Sequence, residues 1–138
     1  GIIYFKIDGK YRSKLGLPAS RATSLCGSYD SSKGVLTILW CSLPETPSAY
    51  VNGQWGPQED PFAGDVINSY NDGPVEDGSI MGPFYEIETS SPGAELVPGA
   101  SLVHTQKVIH IQGEDGQLAP IVQKLFGADL NVIKTKFQ

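Results

Sequence analysis

The chain has 138 residues and a net charge of −5, which is the size of one ordinary domain. Sixteen glycines and ten prolines argue against a helical bundle and favour many short strands joined by turns. The ten lysines and arginines form no basic stripe, so we expect no nucleic-acid partner. No apolar run approaches the roughly 18 residues of a membrane span, and no signal peptide is recognised.

The N-terminal residues predict a β-hairpin. Residues 2–7 form a β-favouring run, residues 8–10 read Asp-Gly-Lys and predict the turn, and residues 11–15 predict the return strand. Because side chains alternate along a strand, Arg12 and Lys14 are expected on one face of that return strand.

The two cysteines fall in the next pair of predicted strands, residues 22–29 and residues 35–41. The second run is the most apolar in the chain, so we place it centrally in its sheet. A hairpin turning near Ser32 would set Cys26 opposite position 38 rather than Cys41, and this register does not favour a disulfide. We interpret both cysteines as small buried apolar residues, and no ligand spacing supports a zinc site.

Residues 44–82 are rich in proline and glycine, a composition interrupted by residues 50–52 and residues 64–70. A span this long in a compact domain is more often a functional loop than an idle connection. Its aromatic rings, amides and carboxylates suit the faces and hydroxyl groups of sugar rings. The candidate ligand residues are Trp55, Asn68, Tyr70, Asn71 and Asp72. The alternative is that the aromatic rings cover a sheet edge and residues 71–74 are only a turn.

A pair of acidic residues marks the predicted strand over residues 82–92. Alternation sets Phe84, Glu86 and Glu88 on one face of this strand. Two neighbouring carboxylates on a half-buried face repel each other, which raises at least one pKa toward the range of a general acid or base. The alternative is an ordinary acidic face turned to solvent.

The last part of the chain predicts one strand and two helices. Residues 101–111 alternate as a long strand, and we interpret His104 and His110 on it mainly as structural histidines. A helix is predicted by apolar residues at helical spacing, namely Leu118, Ile121, Val122 and Leu125. Gly127 would end that helix, and Asp129 would cap a short final one.

A family signature is carried by residues 87–94, which read Ile-Glu-Thr-Ser-Ser-Pro-Gly-Ala. This segment resembles the Leu-Glu-Thr-Gln-x-x-Pro-Asp-Ala signature of galactose mutarotases (aldose 1-epimerases). Residues 96–99 and the pair His104-Thr105 are similar to the next strand of that family, at a similar spacing. The resemblance implies a large antiparallel β-supersandwich in which Glu88 is the catalytic base.

A bacterial group of uncharacterised secreted proteins with the mutarotase-like fold is still more similar. The stretches that carry this likeness are residues 11–14, 27–30, 64–74 and 82–86. The resemblance implies a periplasmic or secreted location. Mutarotases use a second group, a histidine acid, from a chain about twice this length. No motif here matches that histidine, and His104 falls in a different strand.

We therefore predict a mainly β protein with an antiparallel β-sandwich, the C-terminal part of a mutarotase-like supersandwich. Residues 1–138 would form a single, partial domain, with residues 113–138 a tail of one or two short helices. A partial sandwich leaves strand edges uncovered, so we expect a homo-oligomer that pairs through them.

Carbohydrate binding is the expected function, through the candidate residues above together with Arg12 and His104. The first alternative is an aldose 1-epimerase in which Glu88 is the general base and Glu86 a weaker candidate for its partner. Losing half of an acid–base pair removes about 10²–10⁴ in rate, so binding ranks above catalysis. The second alternative is a structural or accessory domain without a ligand. No cofactor or metal is expected.

Overall fold

The computed structural model describes residues 1–46, 48–54 and 56–138. It is mainly β, with two antiparallel three-stranded sheets and two short C-terminal helices. The elements are β1 (Ser13–Pro18), β2 (Leu25–Asp30), β3 (Val35–Cys41), β4 (Asp65–Asn71), β5 (Tyr85–Thr89), β6 (Gln106–Gln112), α1 (Asp115–Phe126) and α2 (Leu130–Thr135). Within these described residues, neither helix has the length and apolar character needed to cross a bilayer.

The chain divides into two compact units. The first, which we call the helix-backed unit, consists of Gly1–Lys6, Leu25–Trp40 and Gln106–Gln138. The second, which we call the loop-rich unit, consists of Ile7–Ser24 and Cys41–Thr105.

In the helix-backed unit, β3 lies between β2 and β6, which confirms the central position predicted for this apolar strand. The β2–β3 hairpin turns through Gly34, whose φ of 61° is readily adopted only by glycine. Cys26 pairs with Leu39, one residue from the predicted register, so it does not face Cys41. The two cysteines form no disulfide, and burial raises the pKa of the Cys41 thiol.

The core of this unit forms where the helices cover one face of β3. Its buried members are Leu36, Ile38, Leu118, Val122, Ala128 and Leu130. The first helix starts at a cap in which the Gln117 side chain accepts the Glu114 N–H at 3.0 Å, and it ends at Gly127 in the left-handed conformation. Asp129 caps the second helix by accepting the Asn131 N–H at 2.8 Å, as predicted.

In the loop-rich unit, β4 is the central strand, with β1 on one side and β5 on the other. Both pairings are antiparallel, and they set Lys14 and Glu86 on either side of Tyr70. The following row places Gly16 and Glu88 on either side of Asn68. This sheet brings three segments that are distant in sequence into one surface.

Two predicted strands differ from the observed ones. Residues 2–7 form no strand, and β1 pairs with β4 instead of closing a local hairpin. The turn at residues 8–10 is present, but its Gly9 N–H donates to the Asn71 side chain at 2.9 Å. The strand predicted over residues 101–111 is shorter, because the backbone N–H and carbonyl of Thr105 hydrogen-bond to Ser42.

Candidate functional site

The candidate site is one face of the loop-rich unit's sheet, which we call the polar face. Its side chains come from all three strands and the residues just before β1. They are Arg12, Lys14, Asp65, Asn68, Tyr70, Glu86 and Glu88. Alternation sets all of these side chains except Asp65 on one side, because every second residue of a strand points the same way. Asp65 reaches this face at the irregular pairing between Leu17 and Pro18, where its carboxylate covers Gly16. Asn68 and Tyr70 are half-buried, whereas the four charged residues of β5 and of the β1 edge are exposed.

Glu86 and Glu88 form a carboxyl pair on β5. The Glu88 carboxylate, as the hydrogen-bond acceptor of protonated Glu86, raises the pKa of Glu86, and desolvation and the negative charge of Glu88 raise it further. The charge of Lys14 acts in the opposite direction. One member of such a pair holds a proton more tightly than an isolated glutamate does, so the pair combines a hydrogen-bond donor with an acceptor.

Tyr70 lies at the centre of the polar face and is held from both sides. Its hydroxyl donates to Asp72 at 2.6 Å, and this bond raises the pKa of Tyr70. The Arg12 guanidinium lies 5.9 Å from the centroid of the Tyr70 ring, within cation–π range. The Phe84 ring is tilted against it, at 5.9 Å between centroids. Because these groups flank the ring, Tyr70 positions Arg12 and is poorly placed to stack on a sugar.

Asp72 is a buried carboxylate that fastens two segments together. It is 1% exposed, and its second oxygen accepts the Gly82 N–H at 3.0 Å. The Tyr70 hydroxyl bond is the main cause that lowers the pKa of Asp72, and the Gly82 and Gly73 N–H groups and the charge of Arg12 add to it. An ionised carboxylate satisfied in this way is a structural anchor, so Asp72 fixes the Tyr70 hydroxyl and the backbone at Gly82.

Asn71 has a similar anchoring role on the other side of the sheet end. Its side chain accepts the Gly9 N–H at 2.9 Å and donates to the Tyr11 carbonyl at 2.8 Å, and only 1% of it is exposed. Next to it, a Cβ on Gly73 would lie 2.4 Å from the Arg12 backbone nitrogen. Asn71 and Gly73 therefore bring the chain before β1 close to β4, which sets Arg12 over Tyr70.

His104 lies away from the polar face. Its Nε2 is 2.9 Å from the Thr89 hydroxyl oxygen, and Thr89 points to the face opposite Glu88. Its Nδ1 is buried with no hydrogen-bond partner in the described chain. His110, in the helix-backed unit, contacts the Thr37 hydroxyl at 2.9 Å. Trp55, the remaining predicted ligand residue, lies outside the described residues.

The structure adds Lys14 and Asp65 to the site residues expected from sequence. Lys14 on β1 pairs with Tyr70 on β4. A Cβ added to Gly16 would lie only 1.9 Å from a carboxylate oxygen of Asp65, so the Asp65 side chain occupies the space beside Gly16. The alternation of Arg12 and Lys14 was a visible signal for Lys14. That pattern did not place Lys14 beside Tyr70, because the sequence analysis paired residues 11–15 with residues 2–7 rather than with β4. Nothing local marks Asp65, whose position depends on the absent side chain of Gly16.

The polar face has the groups to bind a neutral polar molecule by hydrogen bonds. Carboxylates accept, the Asn68 amide does both, and Arg12 and Lys14 donate. Across the described residues, no three His, Cys, Asp or Glu side chains group as metal ligands do. The chemistry on offer is therefore hydrogen bonding, ion pairing and proton transfer by the carboxyl pair.

These features define a mainly β protein with a charged polar face on one antiparallel sheet. The chain belongs to the family of unknown function DUF6786, whose family model matches residues 1–137. The comparisons with curated proteins and with solved structures gave no match.

Proposed function

We propose that the polar face binds a carbohydrate. The observation that supports this is the pair of cross-strand rows Lys14–Tyr70–Glu86 and Gly16–Asn68–Glu88, which gather donors and acceptors on one accessible sheet face. Sugar hydroxyls donate and accept at once, so they are recognised by paired carboxylates, amides and cations. Asn68, Glu86 and Glu88 are the residues that would contact hydroxyl groups.

The fold belongs to the same proposal. We propose that the two antiparallel sheets are parts of a galactose mutarotase-like supersandwich. Support comes from the signature at residues 87–94, because it spans the end of β5 and carries Glu88 on the polar face. A periplasmic or secreted location is proposed on the same resemblance.

A second function, aldose 1-epimerase activity, is favoured by the carboxyl pair. Glu88 would accept the proton of the anomeric hydroxyl while protonated Glu86 donates one to the ring oxygen. The C1–O5 bond then breaks, the C1 carbonyl forms, and rotation about C1–C2 followed by the reverse transfers gives the other anomer. Both oxygens are bonded to the same carbon, so two neighbouring carboxyls suit them. His104 is not available as the acid, since it contacts Thr89.

Binding is tested on a glycan array with the wild-type protein, Asn68→Ala and Glu88→Gln. We expect a defined subset of glycans to bind, with signal lost in Asn68→Ala. Glu95→Gln is the matched control, because Glu95 is an exposed glutamate outside the strands and its loss should leave binding intact. If no glycan binds the wild-type protein, the structural or accessory reading replaces this proposal.

Catalysis is tested separately by NMR exchange between the anomers of reducing sugars. An epimerase loses its rate enhancement in Glu88→Gln, whereas a binding protein shows equal rates for both. Equal rates would end the enzyme proposal and leave the binding proposal in place.

We also propose self-association through strand edges. β1 and β5 are edge strands of one sheet, and β2 and β6 are edge strands of the other. Exposed edges present unpaired backbone groups that favour pairing with another chain. Light scattering should give a mass above that of one chain, and a clean monomer would contradict this.

A further inference from the structure

The charges of the polar face are sorted by strand. The cations Arg12 and Lys14 stand at the β1 edge, whereas the acids Glu86 and Glu88 stand on β5. Tyr70 and Asn68, which carry no charge, separate them on β4. A ligand that fits this pattern carries negative charge at one end and hydroxyl groups at the other.

The cations are not used by the protein's own ion pairs. Within the described residues, neither Arg12 nor Lys14 forms an ion pair with a carboxylate. Arg12 is instead held over Tyr70 by the cation–π contact. A guanidinium fixed in this way loses little freedom on binding, and its fork of N–H groups matches a carboxylate through two parallel hydrogen bonds.

The distance across the sheet suits one sugar ring. Neighbouring strands are about 4.8 Å apart, so β1 and β5 lie about 10 Å apart across β4. This span is comparable with the length of a single pyranose ring and its substituents. Its C6 substituent would reach the β1 edge when its anomeric hydroxyl reaches the carboxyl pair.

We propose that the ligand of the polar face is a uronic acid residue, that is, a sugar whose C6 is a carboxylate. This inference rests on the proposed carbohydrate binding. The C6 carboxylate binds Arg12 and Lys14, and the hydroxyls at the anomeric end bind Glu86 and Glu88. Asn68 contacts the hydroxyls between them.

A carboxylate fits better than a phosphate at the same place. A phosphate monoester carries a charge of about −1.5 to −2 at pH 7. Four acids lie on or directly below this face, namely Asp65, Asp72, Glu86 and Glu88. Doubling the charge of the ligand doubles its attraction to Arg12 and Lys14 as well as its repulsion by the four acids. Because the acids outnumber the two cations, a carboxylate meets a smaller net repulsion than a phosphate does, while the fork of Arg12 pairs with either.

The test is calorimetric titration with matched sugars that differ only at C6. The sugars are glucose, galactose and mannose with a free anomeric hydroxyl, the uronates of each and the 6-phosphates of each. At least one uronate should bind about tenfold or more tightly than its neutral parent and more tightly than its 6-phosphate. In Arg12→Gln this preference should fall to less than about twofold, and Arg12→Lys should retain part of it.

Arg21→Gln is the matched control, because Arg21 is an exposed arginine in the turn after β1 and its loss should leave the preference unchanged. Lys14→Gln serves as a second variant and should reduce the preference less than Arg12→Gln does. Equal affinity for uronates and neutral sugars, or tighter binding of a 6-phosphate, would overturn the inference while carbohydrate binding stands. If none of these sugars or the arrayed glycans binds, both proposals fail.

Discussion

The two sheets of this protein differ in what covers them. In the helix-backed unit, Leu36 and Ile38 are buried under α1 and α2, in a core made entirely of apolar side chains. In the loop-rich unit, the polar face of β1, β4 and β5 carries charges and lies open to solvent along its edges. Burying apolar surface stabilises a fold, whereas exposed charged groups held by a rigid sheet contribute little stability and are free to bind. From this difference we attribute stability mainly to the first sheet and propose recognition for the second.

The largest expected effect is on the helix-backed core. Leu118 is 1% exposed, so Leu118→Ala should lower the free energy of unfolding by about 2–5 kcal/mol through lost burial and a cavity. Leu125→Ala on the same helix is the control, because Leu125 is 38% exposed and its change should cost less than about 1 kcal/mol. Urea unfolding measures both. Equal effects would show that α1 does not form the core.

The next effect separates anchoring from binding within the loop-rich unit. Asn71→Ala leaves the Gly9 N–H and the Tyr11 carbonyl without their partner, which should cost about 1–3 kcal/mol. Asn68→Ala, on the polar face, should change stability by less than about 0.5 kcal/mol while abolishing glycan binding. The same urea series and the glycan array check both variants. If Asn68→Ala were as destabilising as Asn71→Ala, Asn68 would be a structural residue, which would contradict the distinction between anchoring and binding residues.

A third prediction concerns pH and the helix-backed unit. The Tyr29 hydroxyl donates to Asp115, which raises the pKa of Tyr29 to about 12. A raised pKa means that the folded state keeps the proton, so this contribution is fully present below pH 10, the usual tyrosine pKa, and is lost as pH rises through about 12. Tyr29→Phe should cost about 1–2 kcal/mol at pH 7 and flatten the loss of stability in that alkaline window. Thermal melts from pH 7 to 11 test this. An unchanged alkaline profile would contradict it.

The smallest effect is at the carboxyl pair. Because Glu88 raises the pKa of Glu86, ionisation of Glu86 is less favourable in the folded state, and stability is lost as pH rises through the raised pKa. Glu86→Gln should therefore be slightly more stable than the wild type at pH 7, by less than about 0.5 kcal/mol. The difference should vanish below about pH 4, where glutamates are protonated. Glu95→Gln should show no such gain in melting temperature; a Glu86→Gln variant less stable at pH 7 would contradict the repulsion.

The sequence predicted the strands and helices that are defined by residues close to one another in the chain. The apolar run of β3 and the helical spacing with caps at Gly127 and Asp129 lie within a few residues of the signals that define them. The predicted hairpin of residues 2–15 failed because a turn signal does not choose the partner strand. β1 pairs instead with β4, whose partner residues lie 47 to 58 positions further along the chain, and Asn71 holds the turn before β1.

The candidate site also contains some features that local sequence pattern predicts and others that depend on contacts between distant residues. Alternation placed Glu86 and Glu88 on one face, and the structure sets them there beside Tyr70 and Asn68, where Glu88 raises the pKa of Glu86. Tyr70 was predicted as a stacking ring, yet long-range contacts with Arg12 and Phe84 occupy its flanks. His104 was grouped with the site by motif, but its bond to Thr89 turns it to the other face. Such contacts depend on tertiary pairing, which no local pattern carries.

The central claim is that the polar face binds sugars, and amide-resolved NMR titration of the labelled protein tests it most directly. The ligands are the neutral sugars and the uronates used for calorimetry. We predict saturable shifts at residues 12–16, 67–71 and 85–89, with β2 and β3 unchanged as internal references. No shift with any sugar, or saturable shifts confined to the helix-backed unit, would contradict the claim.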